Sequence, residues 1–201
     1  GTALGKSDCL DDGHSSRVLI YSINLAVACG LPGDKIRTLI VGSCLHDLEM
    51  LSIPVDILHK EVPLSKDERS LMEKHPKDGF AGIKKIRWIA GGAPVVRHHH
   101  EKYDGSGYPD GLKHEKIPTS ARVFAIADAF DAMTSARPYR DPLSIEEALH
   151  QLGQESGKHF DPVLLSTFMK IVPGLFARLC GMVLSDLEKE VIVELNLART
   201  N

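Results

Sequence analysis

The stretch His14-Ser15-Ser16-Arg17-Val18-Leu19-Ile20-Tyr21-Ser22-Ile23-Asn24-Leu25-Ala26-Val27-Ala28-Cys29 follows the breaker Asp11-Asp12-Gly13 and stops at Gly30. Within it Val18, Leu19, Leu25, Ala26 and Cys29 recur at helical spacing, which reads as an amphipathic helix and not as a strand. The same period continues outward. A second helix starts near Pro32 and carries Ile36, Leu39, Ile40, Ser43 and Cys44 into His46-Asp47. Ser65 with Glu68 forms a capping box that opens a helix expected to run to about Lys85. Further helices are expected at about 120–135, at 144–154 behind a second capping box of Ser144 and Glu147, and at 161–171. Between Lys102 and Pro118, the breakers Gly105, Gly107, Pro109 and Gly111 exclude a continuous helix. After Pro173-Gly174, the short runs Leu175–Cys180 and Val191–Leu195 suit a small β-hairpin, with a short helix at 186–190 as the other reading. The fold class is all-α: a bundle of about seven or eight helices, with that C-terminal hairpin as an open feature.

Composition narrows the class. With 201 residues, 43% of them hydrophobic and 25% charged, the chain can bury a core and is not disordered; 5% aromatic content favours helices packed on aliphatic side chains. A net charge of −3 supplies no global field for a long polyanion, so no long nucleic acid is expected as a partner. The cysteines Cys9, Cys29, Cys44 and Cys180 lack metal-ligand spacing and read as reduced, buried thiols of a cytoplasmic protein. The longest charge-free span, Val18 to Gly33, contains Tyr21, Ser22, Asn24, Gly30 and Pro32, so no membrane contact is expected of this fragment. Gly1 to Leu10 reads as an edge or linker.

Chemistry is concentrated in the ten histidines. His46-Asp47 and His99-His100 are adjacent pairs. Neighbours on a helix point ~100° apart, poorly shaped for one ion and well shaped to straddle two. Imidazole with carboxylate suits first-row divalent ions. His59, His98, His114, His150 and His159 are read as surface histidines, Lys84, Lys85 and Arg87 as a solvated helix face, and Phe80 and Trp88 as core.

Seven ordered motifs carry a family resemblance. They are His14-Ser15-Ser16-Arg17-Val18, His46-Asp47, His75-Pro76, His99-His100-Glu101, Asp104-Gly105-Ser106-Gly107-Tyr108-Pro109, Ala127-Asp128-Ala129-Phe130-Asp131-Ala132-Met133-Thr134 and Arg137-Pro138-Tyr139-Arg140. In this order the chain resembles the HD-GYP branch of the HD superfamily, bacterial phosphodiesterases of cyclic di-GMP. The resemblance spans Asp11 to Val172 and implies a phosphohydrolase domain at 11–173, with 174–201 as an extension. It implies one ion held by His14, His46 and Asp128, another by His75, His99 and His100, and Asp47 bridging them. Iron or manganese is expected, with zinc or nickel also accepted by such ligands. A hydroxide between the ions would be the nucleophile, giving linear pGpG and, on further cleavage, GMP.

The substrate contacts implied are Arg137 and Arg140 as guanidinium clamps on phosphate, and Tyr108 with Gly107 on the glycine-rich loop. Asp131 is expected to orient a ligand histidine or Arg137 from behind. The chain departs from the family at His46-Asp47-Leu48-Glu49-Met50, where relatives usually read His-Asp-x-Gly-Lys. Met50 removes a cation expected beside the scissile phosphate, which makes a catalytically weak receptor of a cyclic dinucleotide one alternative. A phosphohydrolase of another nucleotide, such as a mixed cyclic dinucleotide, is the other. Leu10 stands where some relatives carry an acidic ligand for a third ion, with Asp11 and Asp12 as the nearest substitutes. A fused sensory or receiver domain and a signalling partner are also implied.

Overall fold

Helical periodicity becomes helix along most of the chain. The computed structural model describes residues 13–58, 60, 62–136 and 141–200. Among them lie α1 (His14–Ala28), α2 (Gly33–Leu45), α3 (Val55–Leu58), α4 (Lys66–Met72), α5 (His75–Ile83), α6 (Ala93–His98), α7 (Thr119–Thr134), α8 (Ile145–Gln154), α9 (Pro162–Leu179) and α10 (Leu184–Thr200). Short 3-10 turns cover Leu48–Ser52, Ala90–Gly92 and His114–Lys116. No strand forms among the described residues; Ser156 and Phe160 make an isolated bridge. The all-α expectation holds.

α1 is central and packs against α2, α7, α9 and α10. Its apolar stripe continues into a core with Phe124 and Phe130 of α7 and Phe168 of α9. Tyr21 meets the Phe130 ring edge-on at 5.2 Å. Fully burying a side chain such as Ile20, Leu25 or Phe124 is worth ~1.5–3 kcal/mol. A smaller cluster of Ile83, Ile89, Ala93 and Val96 joins α5 to α6.

One backbone crossing sets the position of two histidines. A Cβ on Gly42 would lie 2.3 Å from Val95 Cβ and 2.9 Å from the Gly92 carbonyl, so α2 touches the start of α6 with no room for a side chain. That contact brings His46, just past α2, to 5.5 Å from His99, just past α6, measured between ring centroids.

The hairpin expectation is corrected. α9 runs through Pro173 to Leu179, and α10 occupies the remaining segment. Val172, Leu175 and Leu179 continue the buried face begun by Leu164, Leu165 and Phe168, so packing overrides the local cost of proline. In α10, Leu187, Val191, Leu195 and Ala198 form one helical stripe on the core. Arg178 fastens α9 to α10 through Glu190 at 2.6 Å and Glu194 at 2.7 Å. α9 is long and apolar enough to cross a membrane by composition, but its inner face lines this core.

Other expectations shift in detail. The helix opened by Ser65 breaks after Met72 because Pro76, in the first turn of α5, cannot continue it; the Ser65–Glu68 capping box itself forms. Trp88, expected in the core, is 83% exposed, while Phe80 packs on the smaller cluster. Cys44 and Cys180 are exposed and Cys29 is half-buried; all three are free thiols. His59 and Cys9 lie outside the described residues.

Candidate metal centre

Two triads of candidate ligands form at one end of the bundle. In the first, His14 opens α1, His46 follows α2 and Asp128 sits on α7; their ligand atoms lie within 4.8 Å of one another. His14 Nε2 is 3.4 Å from Asp128 Oδ1. Behind it, His14 Nδ1 donates to Asp131 Oδ2 at 2.8 Å. Asp131 is fully buried and is also gripped by Arg17, whose Nε reaches Oδ1 at 2.6 Å, and by Ser135 at 3.1 Å. Burial opposes the charged form of His14, but hydrogen bonds to Asp128 and Asp131 outweigh it and raise its pKa to about 9. A positive charge is therefore favoured at His14 Nε2, where a ligated cation would sit.

In the second triad, His75 opens α5, and His99 and His100 follow α6; their ligand atoms also lie within 4.8 Å. His75 Nδ1 donates to the Met72 carbonyl at 2.7 Å, and His99 Nδ1 to the Val96 carbonyl at 3.0 Å. Burial lowers the pKa of both rings, which favours their neutral forms, and the Nδ1 donors leave Nε2 as the acceptor nitrogen of each. Yet the two Nε2 atoms face each other at 3.3 Å. Two lone pairs aimed together repel, and a cation between them turns that repulsion into coordination. His100, pushed down to about 3 by burial and by His75, completes the set.

Asp47 stands between the triads. Its Oδ2 lies 3.1 Å from His46 Nε2, and its Oδ1 lies 3.7 Å from His75 Nε2. Burial alone would raise its pKa, but the facing His46, by charge and hydrogen bond, holds it well below the carboxylate range, so both oxygens are anionic acceptors. His46 Nδ1 donates to the Ser43 carbonyl at 2.9 Å, which leaves its Nε2 facing inward. The donor set of imidazole nitrogens and carboxylate oxygens, each turned by a partner behind it, fits two divalent ions of the first transition row. The histidines His14, His46, His75 and His99 are buried, whereas the Asp47 and Asp128 side chains keep 26% and 30% exposure, so the site opens on the carboxylate side.

The glycine-rich loop lies against the second triad. Tyr108 N donates to the His100 carbonyl at 3.2 Å, and the Tyr108 ring lies 4.8 Å from the His100 ring. A Cβ on Gly107 would sit 2.3 Å from Lys102 N and 2.5 Å from the His100 carbonyl, so only glycine allows this approach. Arg137 and Arg140 lie outside the described residues. Met50 is half-buried one 3-10 turn beyond Asp47, its amide donating to the Asp47 carbonyl at 3.0 Å. Arg17 was not singled out from the sequence as a site residue. Its signal was its place three residues after His14, on the same helix face.

Asp131→Asn tests the support behind His14. The carboxamide keeps the shape but removes the charge that raises ligand basicity, so affinity for manganese at the first triad is expected to fall ~10- to 100-fold. Calorimetric titration reads this, and an unchanged affinity would remove Asp131 from the site.

The fold and the paired triads define a class: the chain belongs to the HD-domain family, whose sequence profile matches residues 7–164. Among particular relatives, it is 39% identical over 148 residues to the cyclic di-GMP phosphodiesterase response regulator RpfG of Xanthomonas campestris, covering 73% of this chain and 39% of that protein. It is 36% identical over 160 residues to a cyclic di-GMP phosphodiesterase of Thermotoga maritima, covering 79% of this chain and 44% of the relative. A 3'3'-cGAMP-specific phosphodiesterase of Vibrio cholerae is 37% identical over 159 residues, covering 78% of this chain and 30% of the relative. The chain thus spans less than half the length of these relatives. The crystal structure of a cyclic GMP-AMP phosphodiesterase from V. cholerae shares the fold at a TM-score of 0.70 and 21% identity, covering 94% of this chain and 51% of that one.

Proposed function

We propose that this chain is a metal-dependent phosphodiesterase domain of the HD-GYP branch that hydrolyses cyclic di-GMP to pGpG, and further to GMP. The observation that carries the reading is Asp47, with one oxygen turned toward a histidine of each triad. Two divalent ions, iron or manganese in this reading, would supply there an activated water and charge neutralisation for a phosphodiester. The chain's own residues do the rest. His14, His46, His75, His99, His100, Asp47 and Asp128 would hold the ions. Asp131 and Arg17 fix the His14 ring. Tyr108 and Gly107 line the approach, and Arg137 and Arg140 grip phosphate. The names of the relatives support a cyclic dinucleotide as substrate. In this reading the catalytic unit spans 11–173 and works in the cytoplasm, beside a sensory or receiver module and a signalling partner.

Anaerobic elemental analysis and product chromatography on one preparation test this reading. About two divalent ions per chain with conversion of cyclic di-GMP to pGpG is the expected result. Intact cyclic di-GMP over metal-replete protein overturns it. Including 3'3'-cGAMP as a competitor separates the mixed dinucleotide, the substrate named for one relative.

A second reading rests on Met50. Without a lysine there, the chain would bind the dinucleotide and turn it over slowly, as a receptor. Met50→Lys is then expected to raise kcat by ~100- to 1000-fold, the usual worth of one preorganised charge donor, while binding measured by calorimetry stays within about twofold. No gain in kcat would leave Met50 without a role in rate.

A further inference from the structure

Glu101 follows the ligand His100 and is almost completely buried, with its side chain fully enclosed. Among the described residues no cation shares a close ion pair with it; the nearest basic nitrogen, His98 Nδ1, stays at 3.8 Å. Instead its two oxygens accept two backbone N–H groups of the glycine-rich loop. Oε1 takes the Asp110 amide at 2.8 Å, and Oε2 takes the Leu112 amide at 3.0 Å. A buried carboxylate spent on two loop amides is costly to hold unless both bonds form.

Around this inner clamp lies an outer one. Arg97 donates from Nε and Nη2 to the Asp110 carboxylate at 2.8 and 2.7 Å, and its guanidinium lies 4.8 Å from the Phe80 ring on α5. Asp110 is therefore held at both backbone and side chain, two residues beyond Tyr108. The core of α1, α7 and α9 takes no part in these contacts. What the clamp fixes is the loop that sets the Tyr108 ring against His100.

We propose that Glu101 is a positioning residue: its carboxylate clamps the loop at Asp110 and Leu112 so that Tyr108 is held over the second triad where the substrate enters. This rests on the phosphodiesterase reading above. Glutamine cannot replace it, because its single carbonyl accepts one amide while its NH₂ confronts the other. Tyr108 then samples other positions, and substrate meets a less ordered site.

The test compares metal-loaded wild-type protein with Glu101→Gln, Tyr108→Ala and the double variant. In Glu101→Gln, metal content is expected to match wild type and amide exchange at Asp110 and Leu112 to accelerate. KM for cyclic di-GMP should rise ~10-fold with kcat within about twofold. In the Tyr108→Ala background, Glu101→Gln should add less than about twofold, because both changes act through one ring. Loss of metal, unchanged exchange, unchanged KM or fully multiplicative effects each overturn the proposal. Wild-type protein that carries both ions and neither binds nor cleaves a cyclic dinucleotide overturns the underlying reading as well. An active wild type with an indistinguishable Glu101→Gln overturns the clamp alone.

Discussion

Asp47→Asn is expected to lower bound divalent metal from about two ions per chain to about one or none, and turnover of cyclic di-GMP by ~1000-fold or more. Asparagine keeps the shape of the side chain. It offers a single neutral carbonyl oxygen where aspartate turns one anionic oxygen toward His46 and the other toward His75. The variant should stay folded, since Asp47 lies outside the apolar core and follows the end of α2. Elemental analysis and circular dichroism on one sample read both arms. Full metal content with wild-type turnover would mean that Asp47 bridges nothing.

Gly42→Ala is expected to act on stability instead. The added methyl would overlap Val95 and press on the Gly92 carbonyl, and backbone cannot swing aside as a flexible side chain would. Overpacking of this kind costs about 1–3 kcal/mol or more. For a chain of this length that is a drop in Tm of roughly 2–12 °C. Because α2 and α6 carry His46 and His99 at their ends, metal affinity should fall with stability. Gly91→Ala is the control: nothing lies within 4 Å of its added Cβ, so its Tm should hardly move. An unchanged Tm in Gly42→Ala would show that α2 and α6 can separate without loss.

The two triads were legible in the sequence because ligation demands particular side chains, and those residues carry the family order wherever helix boundaries fall. Asp131, expected behind a histidine or Arg137, bonds to His14. Arg17 was less legible, because an arginine at that spacing serves equally well on a surface. The clamp of Glu101 on Asp110 and Leu112 depends on how a loop folds back on its own start, which no helical or strand period encodes.

The misreadings near the C-terminus share one cause: local signals outweighed by packing. Pro173-Gly174 is a strong breaker, yet Phe168, Val172, Leu175 and Leu179 bury one continuous face, and the helix persists. In α10, Val191 to Leu195 looks alternating in isolation. Read together with Leu187 and Ala198, the same residues form a helical stripe. At Pro76 the opposite happened, and a proline quoted as part of a motif was not used to end the helix before it. That break matters chemically, because it frees the Met72 carbonyl to accept from His75 Nδ1. Trp88 went to the surface because Ile83 and Ile89 on either side fill the small cluster between α5 and α6.

Anomalous diffraction from crystals grown anaerobically with manganese measures the metal count at Asp47 directly. Two peaks ~3.5–4 Å apart are expected, one against His14, His46 and Asp128, the other against His75, His99 and His100, with Asp47 between them. A single peak, or none beside Asp47, contradicts a dinuclear centre.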